Sequence, residues 1–414
     1  MGDKKTFSIV SLGCFRNTYD SEIIVKEFLD KGYKFKENCY NCKLFIINTC
    51  GFIEQAKRES LDVIQEAIDL KRKGKIKKIL VFGCFVERYR KYLEKEFKEV
   101  DEWRGILEFS KNFIERKSFS PFINFLKICE GCINNCSYCA IPLIKGPLRS
   151  KPKEEVIKEV RYLDKINIKE LNIIGQDITS WGKDLINGEN LTSLLKAIIR
   201  EIKNIRWIRL LYTHPKHFTD ELISLIANEK KICKYIDLPV QHINDRILKL
   251  MNRGITKSEI IKLIEKIRKK IPKAVLRTSI IVGFPTETEK DFKELCDFLV
   301  DTKFERLGAF IYSREENTYA YNLKGQIHRK TKERRFRELM SLQKEIIQEV
   351  NKRFLGQDLE VLVEEKKNDI YLARSEFDAY EIDGVVFLKR SHLNIGDFYK
   401  TKIVDFYDYD LVGV

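Results

Sequence analysis

Three short apolar runs set the pattern of the first part of the chain: Phe7-Ser-Ile-Val-Ser-Leu-Gly-Cys14, Leu44-Phe-Ile-Ile-Asn-Thr-Cys50 and Ile79-Leu-Val-Phe-Gly-Cys84. Each is β-branched or aromatic and bounded by polar sequence, as expected of a buried parallel strand. Helical periodicity lies between them, from near Thr18 to Gly32 and from about Glu54 to Lys73, with Gly74 where a C-terminal glycine belongs. Strand alternating with helix predicts a parallel α/β sheet over 1–120. A basic, irregular connection follows, then a strand at Phe125–Cys129. Further strands are expected at Glu170–Gly175, Trp207–Tyr212, Tyr235–Leu238, Val275–Gly283 and Arg306–Tyr312, with helices at about 153–164, 191–203, 219–229, 256–270, 288–301 and 330–353. About six βα units over 121–353 predict a partial or full TIM-like barrel. After Phe354 the helical period stops. Leu359–Val363, Ile370–Arg374, Val385–Lys389 and Tyr399–Phe406 read as short strands, predicting a small all-β barrel over 354–414.

This arrangement gives the cysteines a meaning. Cys14, Cys50 and Cys84 each end their own predicted strand. In a parallel sheet those ends share the edge where ligands bind. The three thiols are either a cluster site assembled from distant positions or core residues at strand ends. The sharper signal is Glu130-Gly-Cys-Ile-Asn-Asn-Cys-Ser-Tyr-Cys139, with Cys132, Cys136 and Cys139 spaced C-x3-C-x2-C. Thiolates so spaced wrap one face of an iron–sulfur cluster and leave one iron of a four-iron cluster open. The alternative is three core cysteines, but Gly131, Asn134 and Asn135 make a loop rather than a core. Gly175-Gln-Asp177, Tyr212-Thr-His214, Pro239-Val-Gln-His242 and Gly283-Phe-Pro285 fall at further strand ends. Cys39 and Cys42 form a C-x2-C without a partner pair and read as incidental.

Composition refines the picture in three ways. A chain of 414 residues exceeds one ordinary core, so two or three domains are expected. No apolar run approaches a bilayer-spanning length, and the amino terminus runs into a strand rather than an export signal, so no membrane association is expected. Eleven cysteines without such a signal predict reduced thiols and a cytoplasmic location. The net charge of +15 suggests a polyanionic partner, or a generally lysine-rich composition, since lysines are spread along most helices. Residues 356–414 run the other way, with seven Lys and Arg against thirteen Asp and Glu, a balance of −6. RNA binding needs surplus cations, so an acidic barrel fits a basic protein partner better. Glu376, Asp378 and Glu381 are expected on its exposed face. The alternative is that these acids pair internally with the basic barrel domain.

The three-cysteine loop, with Tyr138 before its last cysteine, resembles the radical S-adenosylmethionine (AdoMet) superfamily. Beyond it, Ser11-Leu-Gly-Cys-Phe-Arg-Asn17, Asp20-Ser-Glu22, Asn48-Thr-Cys-Gly-Phe-Ile53, Gly83-Cys84, Ala140–Ser150, Met251-Asn-Arg253 and Val282-Gly-Phe-Pro285 resemble the methylthiotransferases over nearly the whole chain. The resemblance implies an N-terminal cluster domain, a radical AdoMet barrel and a C-terminal TRAM domain. It implies two 4Fe-4S clusters, one held by Cys14, Cys50 and Cys84 and one by Cys132, Cys136 and Cys139. AdoMet is then both methyl donor and radical source, with Tyr138, Gly175, Gln176 and Gly283 as its contacts and no side chain as a catalytic acid or base. Between subfamilies, Arg209-Leu-Leu-Tyr212, Tyr235–His242, Thr278-Ser279 and Asp408-Tyr-Asp-Leu411 lean to the RimO type. That type modifies the β-carbon of an aspartate of small-subunit ribosomal protein twelve; the alternative MiaB type modifies a tRNA adenosine. A low-potential donor such as flavodoxin or ferredoxin is the implied electron source. Phe15, Cys129 and Thr286 depart from the pattern, standing where proline, a small residue and glycine are common.

Overall fold

The apolar runs become strands because their side chains are buried on both faces. The computed structural model describes residues 5–37, 40–186 and 188–414. β1 (Thr6–Ser11), β2 (Lys34–Phe35), β3 (Cys42–Thr49), β4 (Ile76–Gly83) and β5 (Glu102–Trp103) form a parallel sheet in the order β2-β1-β3-β4-β5. α1 (Phe15–Asp30) covers one face through Ile24, Val25 and Phe28. α2 (Glu54–Arg72) and α3 (Cys84–Glu96) cover the other. α3 corrects the sequence reading: Cys84 does not end a strand but begins this helix, directly after Gly83. The stretch 84–96 does carry a helical period, with Phe85, Val86, Tyr89 and Leu93 on the face that packs against the sheet.

The central region holds β6 (Ile123–Lys127), β7 (Cys129–Glu130), α4 (Ile141–Lys145), β8 (Arg149–Ser150), α5 (Lys153–Lys165), β9 (Glu170–Ile174), α6 (Leu191–Glu201), β10 (Trp207–Leu210), α7 (Asp220–Asn228), β11 (Tyr235–Asp237), α8 (Asp245–Leu250), α9 (Lys257–Lys270), β12 (Val275–Val282), α10 (Glu289–Thr302), β13 (Arg306–Ile311) and α11 (Arg329–Asn351). Two parallel sheets, β10-β9-β6 and β11-β12-β13, are joined by a bridge between Ile208 and Ile232, giving a partial barrel of six strands. The pleat sorts its residues. Leu171, Ile173, Ile208, Leu210, Leu276 and Ile280 face the helices in the largest apolar core. The other face, where Phe125, Asn172 and Arg209 lie in register, lines the lumen.

The last strands, β14 (Asp358–Lys367), β15 (Ile370–Ser375), β16 (Val386–Leu388), β17 (Phe398–Tyr407) and β18 (Asp410–Gly413), close a barrel in the order β14-β15-β16-β18-β17. Only four of these strands were legible in sequence. This small barrel plugs the amino end of the strand lumen with charge. Arg306 Nε donates to Asp378 Oδ1 at 2.9 Å, Arg209 Nη1 to the Glu376 carbonyl at 2.7 Å, and Tyr235 Oη to Asp383 Oδ2 at 2.7 Å. Glu170 sits between Arg209 and Arg374. The expected exposure of Asp378 and Glu376 is therefore corrected. Asp378 is 2% exposed and Glu376 accepts from Lys234 N, while Glu381 stays on the surface. Part of the acid surplus neutralises buried arginines, the internal pairing that composition left open.

Candidate active site

Cys14, Cys50 and Cys84 converge as the parallel topology requires. Cys14 caps α1, Cys50 follows β3 and Cys84 opens α3. Gly13, at φ +92°, permits the approach: a methyl group there would stand 2.8 Å from Cys50 Cβ and 2.9 Å from its Sγ. Polar side chains tie the strand ends together. Asn17 Nδ2 donates to the carbonyls of Leu12 at 2.8 Å and Thr49 at 3.1 Å, and Ser60 Oγ meets both N and O of Cys50. Burial, then the charges of Cys14 and Cys84, pushes the Cys50 thiol up to about 12. Burial raises Cys84 to about 11. At Cys14 burial is outweighed by the Arg16 charge and by backbone N–H groups, and the thiol is held below its usual value.

The second group sits on the loop after β7. Gly131, at φ +74°, turns the chain so that Cys132 N donates to the Gly146 carbonyl at 3.2 Å. Asn134 N lies 3.4 Å from Cys132 Sγ, and Arg253 Nη1 lies 3.4 Å from Cys136 Sγ. Burial, then the Cys136 charge, pushes Cys139 up to about 12. Among the described residues no group of three His, Cys, Asp or Glu side chains is arranged to hold a single metal ion. A four-iron cluster asks for something else: thiolates only, set around a larger body, with hydrogen bonds to sulfur. Both groups fit that donor set. Their mutual repulsion is what a bound cation relieves. A methyl group on Gly131 would stand 2.0 Å from the Pro147 carbonyl oxygen. Gly131→Ala is therefore expected to lose roughly 1–3 kcal/mol of stability and to lower iron retention. Iron per chain and chemical denaturation check this, and wild-type values for both would show that the loop relaxes.

The two groups are neighbours. Cys84 packs with Ala140 and Ile144, one and five residues after Cys139. Beside them Lys127 and Lys145 pair with Asp20 and Glu130, a buried ion network across the seam between α1 and the barrel. Gln176 Nε2 donates to Glu130 Oε1 at 3.3 Å, while its Oε1 has no partner. His214 Nε2 and Arg253 Nε are likewise buried without partners. Burial, then the Arg253 charge, drives His214 down to about 2, so its ring is neutral. Unmet buried polar atoms at the carboxyl ends of the strands are what a polar ligand such as AdoMet would satisfy.

The four anticipated AdoMet contacts stand differently. Tyr138 Oη lies 3.4 Å from Arg253 Nη1 and its side chain packs, partly buried, against the apolar cluster that holds Met251 and Phe284. Gly175 and Gly283 have packing reasons to be glycine: added methyl groups would stand 2.6 Å from Cys129 Sγ and 2.4 Å from Lys332 Cγ. Thr286, where glycine is common, does adopt φ +69°, and Arg246 clamps it through Oγ1 at 2.8 Å and O at 2.9 Å. Cys129 is wholly buried and burial raises its thiol well above the usual range. Cys42 is buried with Sγ 3.1 Å from the Leu44 carbonyl; Cys39 lies outside the described residues. Sequence reasoning missed Arg16, Lys145 and Arg253 as site residues. All three stand inside quoted motifs, but a single cation has no spacing to mark it.

Known proteins resemble this chain over nearly its whole length. Residues 126–299 match the Radical SAM superfamily, 6–105 the uncharacterized protein family UPF0004, and 355–414 the TRAM domain. In fold the chain resembles the radical S-adenosylmethionine methyltransferase TsrM from Kitasatospora setae, solved with cobalamin and a [4Fe-4S] cluster, at TM-score 0.55 and 13% identity over 77% of each chain. It is 42% identical over 434 residues to the ribosomal protein uS12 methylthiotransferase RimO of Clostridioides difficile, covering 98% of both chains. The RimO of Aquifex aeolicus is 43% identical over 98% of this chain and 96% of its own. With such identity over nearly its whole length, and with both cysteine groups in place, the chain belongs to the RimO family of ribosomal protein uS12 methylthiotransferases.

Proposed function

We propose that this chain methylthiolates the β-carbon of an aspartate side chain of ribosomal protein uS12. It would use AdoMet and two four-iron clusters, one at Cys14, Cys50 and Cys84 and one at Cys132, Cys136 and Cys139. The observation that carries the reading is the packing of Cys84 against Ala140, which sets the two thiol groups side by side across the domain seam. When bound, the clusters and AdoMet supply the electron, the hydrogen-abstracting radical and the methylthio group, which no side chain can provide. The chain's own part is to hold and insulate. Gly131 and Asn134 shape the loop that would leave one iron open. Tyr138, Gly175, Gln176 and Gly283 are the proposed AdoMet contacts, with Arg253 and His214 added by their unmet polar atoms. The Asp20–Lys127–Glu130–Lys145 network keeps the seam closed, so that reacting groups on two domains keep one geometry.

No helix among the described residues is long and apolar enough to cross a membrane. We place the reaction in the cytoplasm, where thiols stay reduced, with a flavodoxin- or ferredoxin-like electron donor. Mass spectrometry of ribosomal proteins and of tRNA, from cells with and without the gene, tests the reading. The expected result is a methylthio group on a uS12 aspartate that disappears with the gene. A methylthio group lost from tRNA instead would replace this reading with the tRNA one.

A further inference from the structure

Arg16 bridges the seam beside the first thiol group. It stands in the first turn of α1, two residues after Cys14, and reaches across the seam to donate from Nη1 to the Gly175 carbonyl at 2.8 Å. Its guanidinium lies 4.5 Å over the ring of Tyr212. Tyr212 is itself fixed, its backbone N donating to Asp237 Oδ2 at 2.7 Å. Arg16 thus links the turn that carries Cys14 to the strand end at Gly175.

It shares with Arg253 the lack of an acidic partner, but Arg253 stays within the barrel on the Pro239 carbonyl, while Arg16 crosses the seam. Arg116, Lys127, Lys145, Lys151, Arg209 and Arg306 are each buried against a carboxylate. Among the described residues Arg16 has no carboxylate partner, and the Gly175 carbonyl is its oxygen acceptor. A guanidinium offers five N–H donors in a planar fork and stays charged at any working pH. Arg16 is half-buried and holds no carboxylate, so a ligand that brings one would complete its donor set. The thiolates of Cys14 and Cys84 offset part of the charge, but a sulfur does not match the two-pronged geometry that a carboxylate does.

We propose that Arg16, held flat on Tyr212, is the positioning residue that grips the carboxylate of the substrate side chain beside the first thiol group. This rests on the proposed aspartate substrate. The carbon to be modified is one bond from that carboxylate, so gripping the carboxylate sets the reacting carbon within a narrow range of positions. The same grip selects against asparagine, whose amide presents N–H groups to the fork.

The test uses the full chain with its iron restored, and purified uS12 carrying either the aspartate located by mass spectrometry or asparagine in its place. Affinity is measured directly for wild type, Arg16→Gln and Arg16→Lys, with iron per chain read alongside. Wild type should favour the aspartate form by roughly tenfold or more, the weight of a charge-assisted hydrogen bond. Arg16→Gln should erase the preference with iron unchanged, and Arg16→Lys should restore part of it. If Arg16→Gln keeps the preference, weakens both forms equally, or loses iron, the proposal is overturned and Arg16 is a counter-charge for Cys14; methylthiolation of uS12 by wild type would still stand. If wild type modifies tRNA and ignores uS12, both readings fall.

Discussion

Replacing Cys14, Cys50 and Cys84 together with alanine is expected to halve the iron, from about eight to about four per chain, to keep AdoMet cleavage and to end methylthio transfer. The two thiol groups are built by separate pieces of backbone. The first rests on strand ends β1, β3 and β4 and on Asn17 and Ser60. The second rests on the loop after β7, whose anchors are Gly146, Met251 and Ala320. Removing one set of ligands therefore leaves the other with its scaffold. The converse triple, Cys132, Cys136 and Cys139 to alanine, should keep about four irons and abolish 5′-deoxyadenosine formation. Because Cys50 and Cys84 are buried, near-ultraviolet circular dichroism and a serine version of each triple guard against simple misfolding. An alanine triple at 14, 50 and 84 that still bound eight irons would refute the two-site arrangement. Cys129 does not confuse the count, since its thiol is packed against Gly175 with burial holding it protonated.

Glu170→Gln is expected to destabilise the chain by roughly 3–5 kcal/mol, the cost of leaving buried charge without its partner. Glu170 is wholly buried between Arg209 and Arg374, one from the partial barrel and one from the small barrel. Its removal leaves Arg209 with carbonyl oxygens and Arg374 with Glu364. Burial alone would raise the Glu170 carboxyl, but Arg374 and then Arg209 outweigh it and hold it below the usual carboxylate value. A depressed folded value means that stability is present above the unfolded carboxylate range and is lost as pH falls through the folded value. Urea midpoints of wild type and Glu170→Gln should thus differ most near neutral pH and converge in acid. A variant with an unchanged midpoint at neutral pH would show that the plug contributes nothing to the folded state.

The loss of docking acids has a physical cause that composition hides. The balance of −6 in residues 356–414 is correct as a count. Asp378, Asp383 and Glu364 nevertheless face Arg306, Arg277 and Arg374 inside the molecule. A charge count cannot separate a solvated carboxylate from one pairing a lumen arginine. The small barrel is in this respect a stopper for the amino end of the larger one.

The sequence by itself determined the main strands and helices of the two α/β regions and of the small barrel, because hydrophobic period is a local property of the chain; C-x3-C-x2-C spacing singled out Cys132, Cys136 and Cys139, whereas Cys14, Cys50 and Cys84 rest on resemblance. Helix α3 is missed although Phe85, Val86, Tyr89 and Leu93 stand at helical spacing, and elements too short to carry a period, among them β2, β5, α4, β8, α8 and β18, escape it. The tertiary structure alone decided what the cations do. Arg16 is one residue among seventy-seven Lys and Arg until α1 is laid against β9 and β10. Lys145 becomes a partner of Asp20 only when the seam closes. Electrostatic partnership depends on distance and burial, and neither is written in sequence separation when the pairs lie more than a hundred residues apart.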